Sequence, residues 1–166
     1  MSIAQSLLPE LAHEMAGTRK ELERVPEEKF SWKPHAKSMS LCRLASHLAE
    51  VPSYGTVVLA NSEFDIMPAG KPYVPNEMAS RQEILALFDK NLEALQKVLG
   101  GMSDGDMMQP WTLLKGGTKV FTLPRVAVLR SMCLNHNIHH RAQLGVYLRL
   151  VGVPVPSIYG PSADEQ

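Results

Sequence analysis

Residues 124–151, PRVAVLRSMCLNHNIHHRAQLGVYLRLV, decide how the chain is read. Pro124 suits the first turn of a helix, with Thr122 or Leu123 near the cap, because its ring pre-sets helical φ where its missing N–H costs nothing. Gly152, Pro154 and Pro156 forbid continuation past Val151. At about 100° per residue, with Val126 as zero, Leu129, Cys133, Leu144, Tyr147 and Val151 form one apolar stripe centred near about 320°. His136 at about 280° and His140 at about 320° lie within it, whereas His139 at about 220° stands a quarter turn away.

Three of the six histidines fall between positions 136 and 140, and helix propensity does not explain them there. His136 and His140 are neighbours on one helix face. Two imidazoles pointed into an apolar interior need partners. A divalent cation satisfies both, since neutral imidazole is the commonest metal ligand. A polar network with Tyr147, Asn135 or Gln143 is the alternative. No Glu follows the first His, so the zinc-protease pattern does not apply. A third ligand is expected from another helix. His47 is the only histidine of the second helix and lies about 70° from the centre of its stripe. His13 and His35 rank below it. A set of His47, His136 and His140 leaves a cation its full charge and an open position, the catalytic rather than the structural pattern.

Three further helices follow from the same periodicity. Ile3, Leu7, Leu11, Met15 and Leu22 define one from about Ser2 to Arg24, ended by Val25-Pro26. Ser40 caps a second, with Leu41, Leu44, Leu48, Val51, Gly55 and Leu59 inward and Pro52 predicted to kink or split it. Ser80 and Glu83 form a capping box for a third, buried through Ile84, Leu87, Phe88, Leu92, Leu95 and Leu99 and stopped by Gly100-Gly101. Val120-Phe121-Thr122 reads as a short strand or hairpin arm, with Gly116-Gly117 as the turn. Trp32 is expected to pin the crossing loop that follows the first helix. The pattern predicts an all-α protein: one four-helix-bundle domain over 1–166 with long connecting loops.

The 166 residues suit one hydrophobic core. Lys+Arg and Asp+Glu are 17 each, so the chain has no net charge to draw it onto nucleic acid. No apolar run reaches the roughly 18–20 residues that span a membrane. The N-terminus lacks the marks of a secretory signal, and two isolated cysteines make no disulfide framework, so the cytoplasm is the expected compartment. Cys42 and Cys133 read as small buried hydrophobes. Arg141 reads as an ion-pair or solvated residue, Glu50 as a surface carboxylate. Trp111 and Tyr73 lie in loops, where they either pack or line a pocket. Loops 25–39, 61–79 and 100–123 are expected to build the substrate pocket.

WKPHAKSMSLCRLASHLAE (32–50), LPRVAVLRSMCLNHNIHHRAQLGVYLRL (123–150) and VPSIYGPSADE (155–165) together resemble the DinB family, the DinB/YfiT-like metalloenzymes. The family's metal histidines match His47, within SHLAE, and His136 and His140, within NHNIHHRAQ. The resemblance implies a four-helix bundle, a divalent metal, often zinc or nickel, and homodimers. Family members commonly carry Gly where this chain has Ala142. Gln143 is kept and is expected to orient a ligand histidine. Characterised relatives include thiol-dependent S-transferases, so transfer of a low-molecular-weight thiol to an electrophilic small molecule is the leading expectation. A metal-dependent hydrolase and a non-enzymatic metal-binding bundle are the alternatives.

Overall fold

Four serines open helices in the same way. Ser2, Ser40, Ser80 and Ser103 each turn a side-chain oxygen onto a backbone N–H of the first turn, at 3.0–3.2 Å. The computed structural model describes residues 1–71 and 74–165; Tyr73 lies outside them. Helix α1 spans Ile3–Leu22, α2 Leu41–Ala60, α3 Arg81–Gly100 and α4 Asp104–Met108. The last rod comprises α5 (Arg125–Leu129), a π turn (Arg130–Asn135) and α6 (His136–Leu150). The apolar stripes of α1, α2 and α3 meet in one core that includes Leu11, Met15, Leu44, Leu48, Ile84, Phe88 and Leu95. Among the described residues, no helix is long and apolar enough to cross a membrane.

Local chemistry departs from expectation at four places. Pro52 does not split α2, which runs as one helix from Leu41 to Ala60, and Asn91 Nδ2 donates to the nearby Ala49 carbonyl at 2.9 Å. At α3, Ser80 accepts from Glu83 N, but Glu83 reaches the Ala79 N–H rather than that of Ser80, so the box is only half made. Pro124 is the N-cap of α5 rather than its first helical residue. Trp32 does not itself reach the core: half-buried, it packs edge-on against Tyr147 of α6 with ring centroids 5.5 Å apart, and Phe30 of the same loop packs against the core.

The all-α expectation needs correcting, because the mostly helical fold also carries a small three-stranded sheet. Strands β2 (Pro110–Lys115) and β3 (Thr118–Pro124) pair antiparallel, and β1 (Glu63–Asp65) pairs parallel with β2. The hairpin forms because Gly116 and Gly117 adopt φ of 59° and 77°, which lets a two-residue turn follow the natural strand twist. Asp65 fastens the tip: its carboxylate accepts from the N–H groups of Gly116 at 2.9 Å and Gly117 at 2.7 Å. Trp111 and Leu113 of β2 turn into the core. The sheet thus forms a wall beside the bundle, above the end of α2.

Candidate functional site

The π turn shapes the site. Its wider winding inserts about one residue relative to regular α-helix, so the buried face changes phase across it. Val128 and Leu129 are buried before the turn; Asn137, Arg141, Leu144 and Leu148 are buried after it. The apolar stripe is therefore not continuous from Val126 to Val151, as uniform winding predicts. His136 and His140 lie on the flank of the lower stripe and face α2.

The residues next to them hold that orientation. Asn137 Nδ2 donates to Thr18 Oγ1 of α1 at 2.8 Å. One turn on, Arg141 donates to the Glu14 carbonyl at 2.7 Å and pairs with the Glu14 carboxylate at 2.7 Å. Tyr159 of the C-terminal tail bridges the same two groups. Glu14 and Thr18 are four residues apart on α1, and Arg141 and Asn137 four apart on α6, so two polar rungs lock the helices antiparallel. Arg141 is thus a buried ion-pair residue, not a solvated one. Gly17 makes room for it, since a Cβ there would stand 3.0 Å from Arg141 Nη1.

His47 of α2 completes a cluster. Its ring centroid lies 5.0 Å from that of His136 and 4.5 Å from that of His140, and those two are 4.6 Å apart. One nitrogen from each ring lies within 4.8 Å of the others. His47 Nε2 and His136 Nε2 approach to 2.9 Å. His13 and His35 stand apart, exposed, and His139 is exposed beside the cluster.

Each flanking ring has a polar support. His140 Nδ1 lies 2.7 Å from Gln143 Oε1, an acceptor that favours the tautomer with the proton on Nδ1 and a lone pair on Nε2. Gln143 Nε2 in turn donates to His139 Nε2 at 3.1 Å. Behind His47 sit Arg43, with Nη2 3.3 Å from His47 Nδ1, and Glu50, whose Oε2 is 3.6 Å from His47 Nδ1 and 2.5 Å from Arg43 Nη2. Glu50 is 8% exposed, so the surface reading is overturned. Arg43, His47 and Glu50 follow one another at i, i+4, i+7 on one face of α2; read together, that spacing is the signal for a supported histidine. Burial pushes the Glu50 carboxyl up, but His47 and Arg43 outweigh it and hold it below the usual carboxylate value.

Burial is also the largest influence on the other two rings. It drives His136 down to about 4, helped by the neighbouring histidines. His140 is lowered by burial too, against the opposing bond to Gln143. At neutral pH both rings are neutral and offer lone pairs. Cys133 is fully buried, and burial pushes its thiol up to about 12, so it is an inert packing residue. Cys42 is likewise buried, with its thiol raised, first by burial.

A cavity of about 550 Å³ opens beside His47 and His136. Tyr54, Val57 and Val58 of α2, Phe64 and Ile66 around β1, and Met132 of the π turn line it. Trp111 reaches it from β2, so loops 61–79 and 100–123 contribute as expected. Loop 25–39 does not; Pro34 and Ser38 line a separate, shallower groove beside His139 and Gln143.

With bundle, sheet wall and histidine cluster in place, the family follows. The chain belongs to the DinB family, which it matches over residues 1–166. Its fold is similar to a DinB-like protein from Bacillus cereus ATCC 10987, at TM-score 0.71 and 23% identity, covering 95% of this chain and 98% of that one. A DinB-like protein from Bacillus subtilis, YjoA, follows at 0.68 and 17% identity, covering 93% and 99%. YfiT from Bacillus subtilis, described as a probable metal-dependent hydrolase with an unusual four-helix bundle topology, aligns at 0.67 and 16% identity, covering 91% and 89%. No curated protein sequence is detectably similar.

Proposed function

We propose that this DinB-family chain is a metal-dependent enzyme acting on a small molecule, with His47, His136 and His140 as the ligands of a divalent cation. The observation that carries the proposal is the convergence of three ring nitrogens within 4.8 Å of one another. Two nitrogens each about 2.1 Å from one ion stand roughly 3–3.4 Å apart across the usual bond angles; the 2.9 Å between His47 Nε2 and His136 Nε2 is close to that, and the third nitrogen, within 4.8 Å, has only a small side-chain adjustment to make. The donor set fits as well: the His136 and His140 rings are held neutral, and Gln143 and Glu50 sit where they orient a ring. Imidazole ligands suit zinc or nickel. When bound, such an ion supplies Lewis acidity and lowers the pKa of a thiol or water completing its shell.

The leading reading is transfer of a low-molecular-weight thiol to an electrophile. The carboxylate that lines the cavity, Asp65, and the one beside His47, Glu50, are already engaged, Glu50 by Arg43 and Asp65 by three backbone N–H groups. That favours a nucleophile that needs no protein base, and a thiol, ionising near pH 8.5 when free, requires the smaller shift. The protein's part is then to orient the rings, admit the electrophile from the cavity and keep both cysteines out of the reaction. Hydrolysis by activated water is the second reading, supported by the description of YfiT. A homodimer in the cytoplasm completes the proposal.

The test is elemental analysis of the untreated protein, followed by a screen of the zinc- and nickel-loaded forms with thiols and electrophilic acceptors. Thiol-dependent turnover that disappears in His47→Ala is the expected result. Ester or amide hydrolysis without thiol would replace the first reading by the second, and stoichiometric metal without either turnover would leave a metal-binding bundle.

A further inference from the structure

We infer that the substrate is an apolar molecule, with an aromatic or branched aliphatic body and a single polar reacting group, received in the cavity between α2, β1 and the π turn. This rests on the proposed metal site at one end of that cavity. Val57, Val58, Phe64, Ile66 and Met132 present hydrocarbon to its interior, and its histidine end is formed by His47 and His136. The volume, about 550 Å³, is that of a small-molecule site.

Two features set the class. A sugar or polyhydroxy acid placed against this mostly hydrocarbon wall would leave most of its hydroxyl groups unpaired. Asp65 on the wall already accepts from Met67, Gly116 and Gly117, and the other polar groups of the lining away from the histidines, on Tyr54, Lys71 and Trp111, are too few to pair a polyhydroxylated body. Phe64 and Ile66 are, in addition, 45% and 37% exposed although they line the cavity. A short strand that shows large apolar side chains at a cavity mouth is a surface that an apolar ligand covers. The substrate's polar group is thereby directed to the histidines, where the reaction takes place.

The test compares two hydroxamates by calorimetry on the zinc-loaded protein. Benzohydroxamic acid and acetohydroxamic acid share a metal-seeking head and differ in body. Benzohydroxamic acid is expected to bind at least about ten-fold more tightly, since burying a phenyl ring is worth more than the 1.4 kcal/mol that a factor of ten represents. In Phe64→Ser/Ile66→Ser, the ratio should fall toward one with acetohydroxamic acid affinity and zinc stoichiometry unchanged. Equal affinities in the unmodified protein overturn the apolar class while leaving the metal reading standing. Failure to retain stoichiometric zinc overturns the metal reading, and this inference with it. If the double variant does not fold, the ratio in the unmodified protein still decides.

Discussion

Asn137 donates to the Thr18 hydroxyl at 2.8 Å in a setting where neither residue is exposed. The bond joins α6 to α1 one position after His136 and fixes which way that ring faces. Asn137→Ala would take from the Thr18 hydroxyl one of its two buried partners, leaving the Glu14 carbonyl, and would remove the link between the helices. The expected loss is about 1–3 kcal/mol of unfolding free energy, read by urea denaturation. Zinc affinity should fall as well, whereas a Thr18→Val/Asn137→Leu pair should recover stability without recovering affinity.

Glu50 and Arg43 form a pair with side chains only about a tenth exposed, behind His47. Glu50→Gln removes the charge opposite Arg43 and weakens the acceptor facing His47 Nδ1. Zinc affinity should drop about 10–100-fold, the range found when partners of ligating histidines are lost. Competition titration with a chelator measures it, and an unchanged affinity would deny Glu50 any hold on His47.

Gln143 isolates orientation from stability, because it is exposed and bonds His140 from outside. Gln143→Ala should lower zinc affinity about ten-fold. Its unfolding free energy should stay within about 0.5 kcal/mol of the parent, as for most surface substitutions.

Glu21 of α1 is 4% exposed, and burial raises its carboxyl to about 7. Its native pKa lies above the unfolded value, so the native state holds this proton between about pH 4.5 and 7 while the unfolded chain releases it. Stability is therefore lost as pH rises through that window. Glu21→Gln should stabilise the protein at pH 8 by up to about 3 kcal/mol and have little effect at pH 4. His136 acts with the opposite sign. Its native pKa of about 4 lies below the unfolded 6.5, so in metal-free protein stability falls as pH drops from about 6.5 to 4. The two slopes oppose each other in the parent, and Glu21→Gln should unmask the histidine slope in unfolding curves taken from pH 7 to 4.5.

Helical periodicity located the long helices because burial of one face leaves a trace every three to four residues. Ser40 and Ser80 were legible as caps for an equally local reason. Strand β1 left no such trace: Glu63–Asp65 is three residues long and pairs with a strand nearly fifty positions away. The π turn was equally hidden, since one surplus residue changes phase without changing composition. His136 and His140 were nevertheless singled out, because two rings four apart share a face whatever the phase of the stripe. His47 was reached from its helix, and the structure brings it to the other two. The surface reading of Glu50 fails because Arg43, one turn before His47 on the same face, is its buried counter-ion, and a carboxylate's partner seven residues away leaves no mark beside it in the sequence.

The break in winding at Arg130–Asn135 divides one long rod between two sets of neighbours. The half above it answers to the hairpin and the cavity wall, and the half below is clamped to α1 through Asn137 and Arg141. Mutations that remodel the upper half can therefore accumulate without rotating the imidazoles, so ligand preference is free to diverge while the geometry of the histidine cluster is inherited intact.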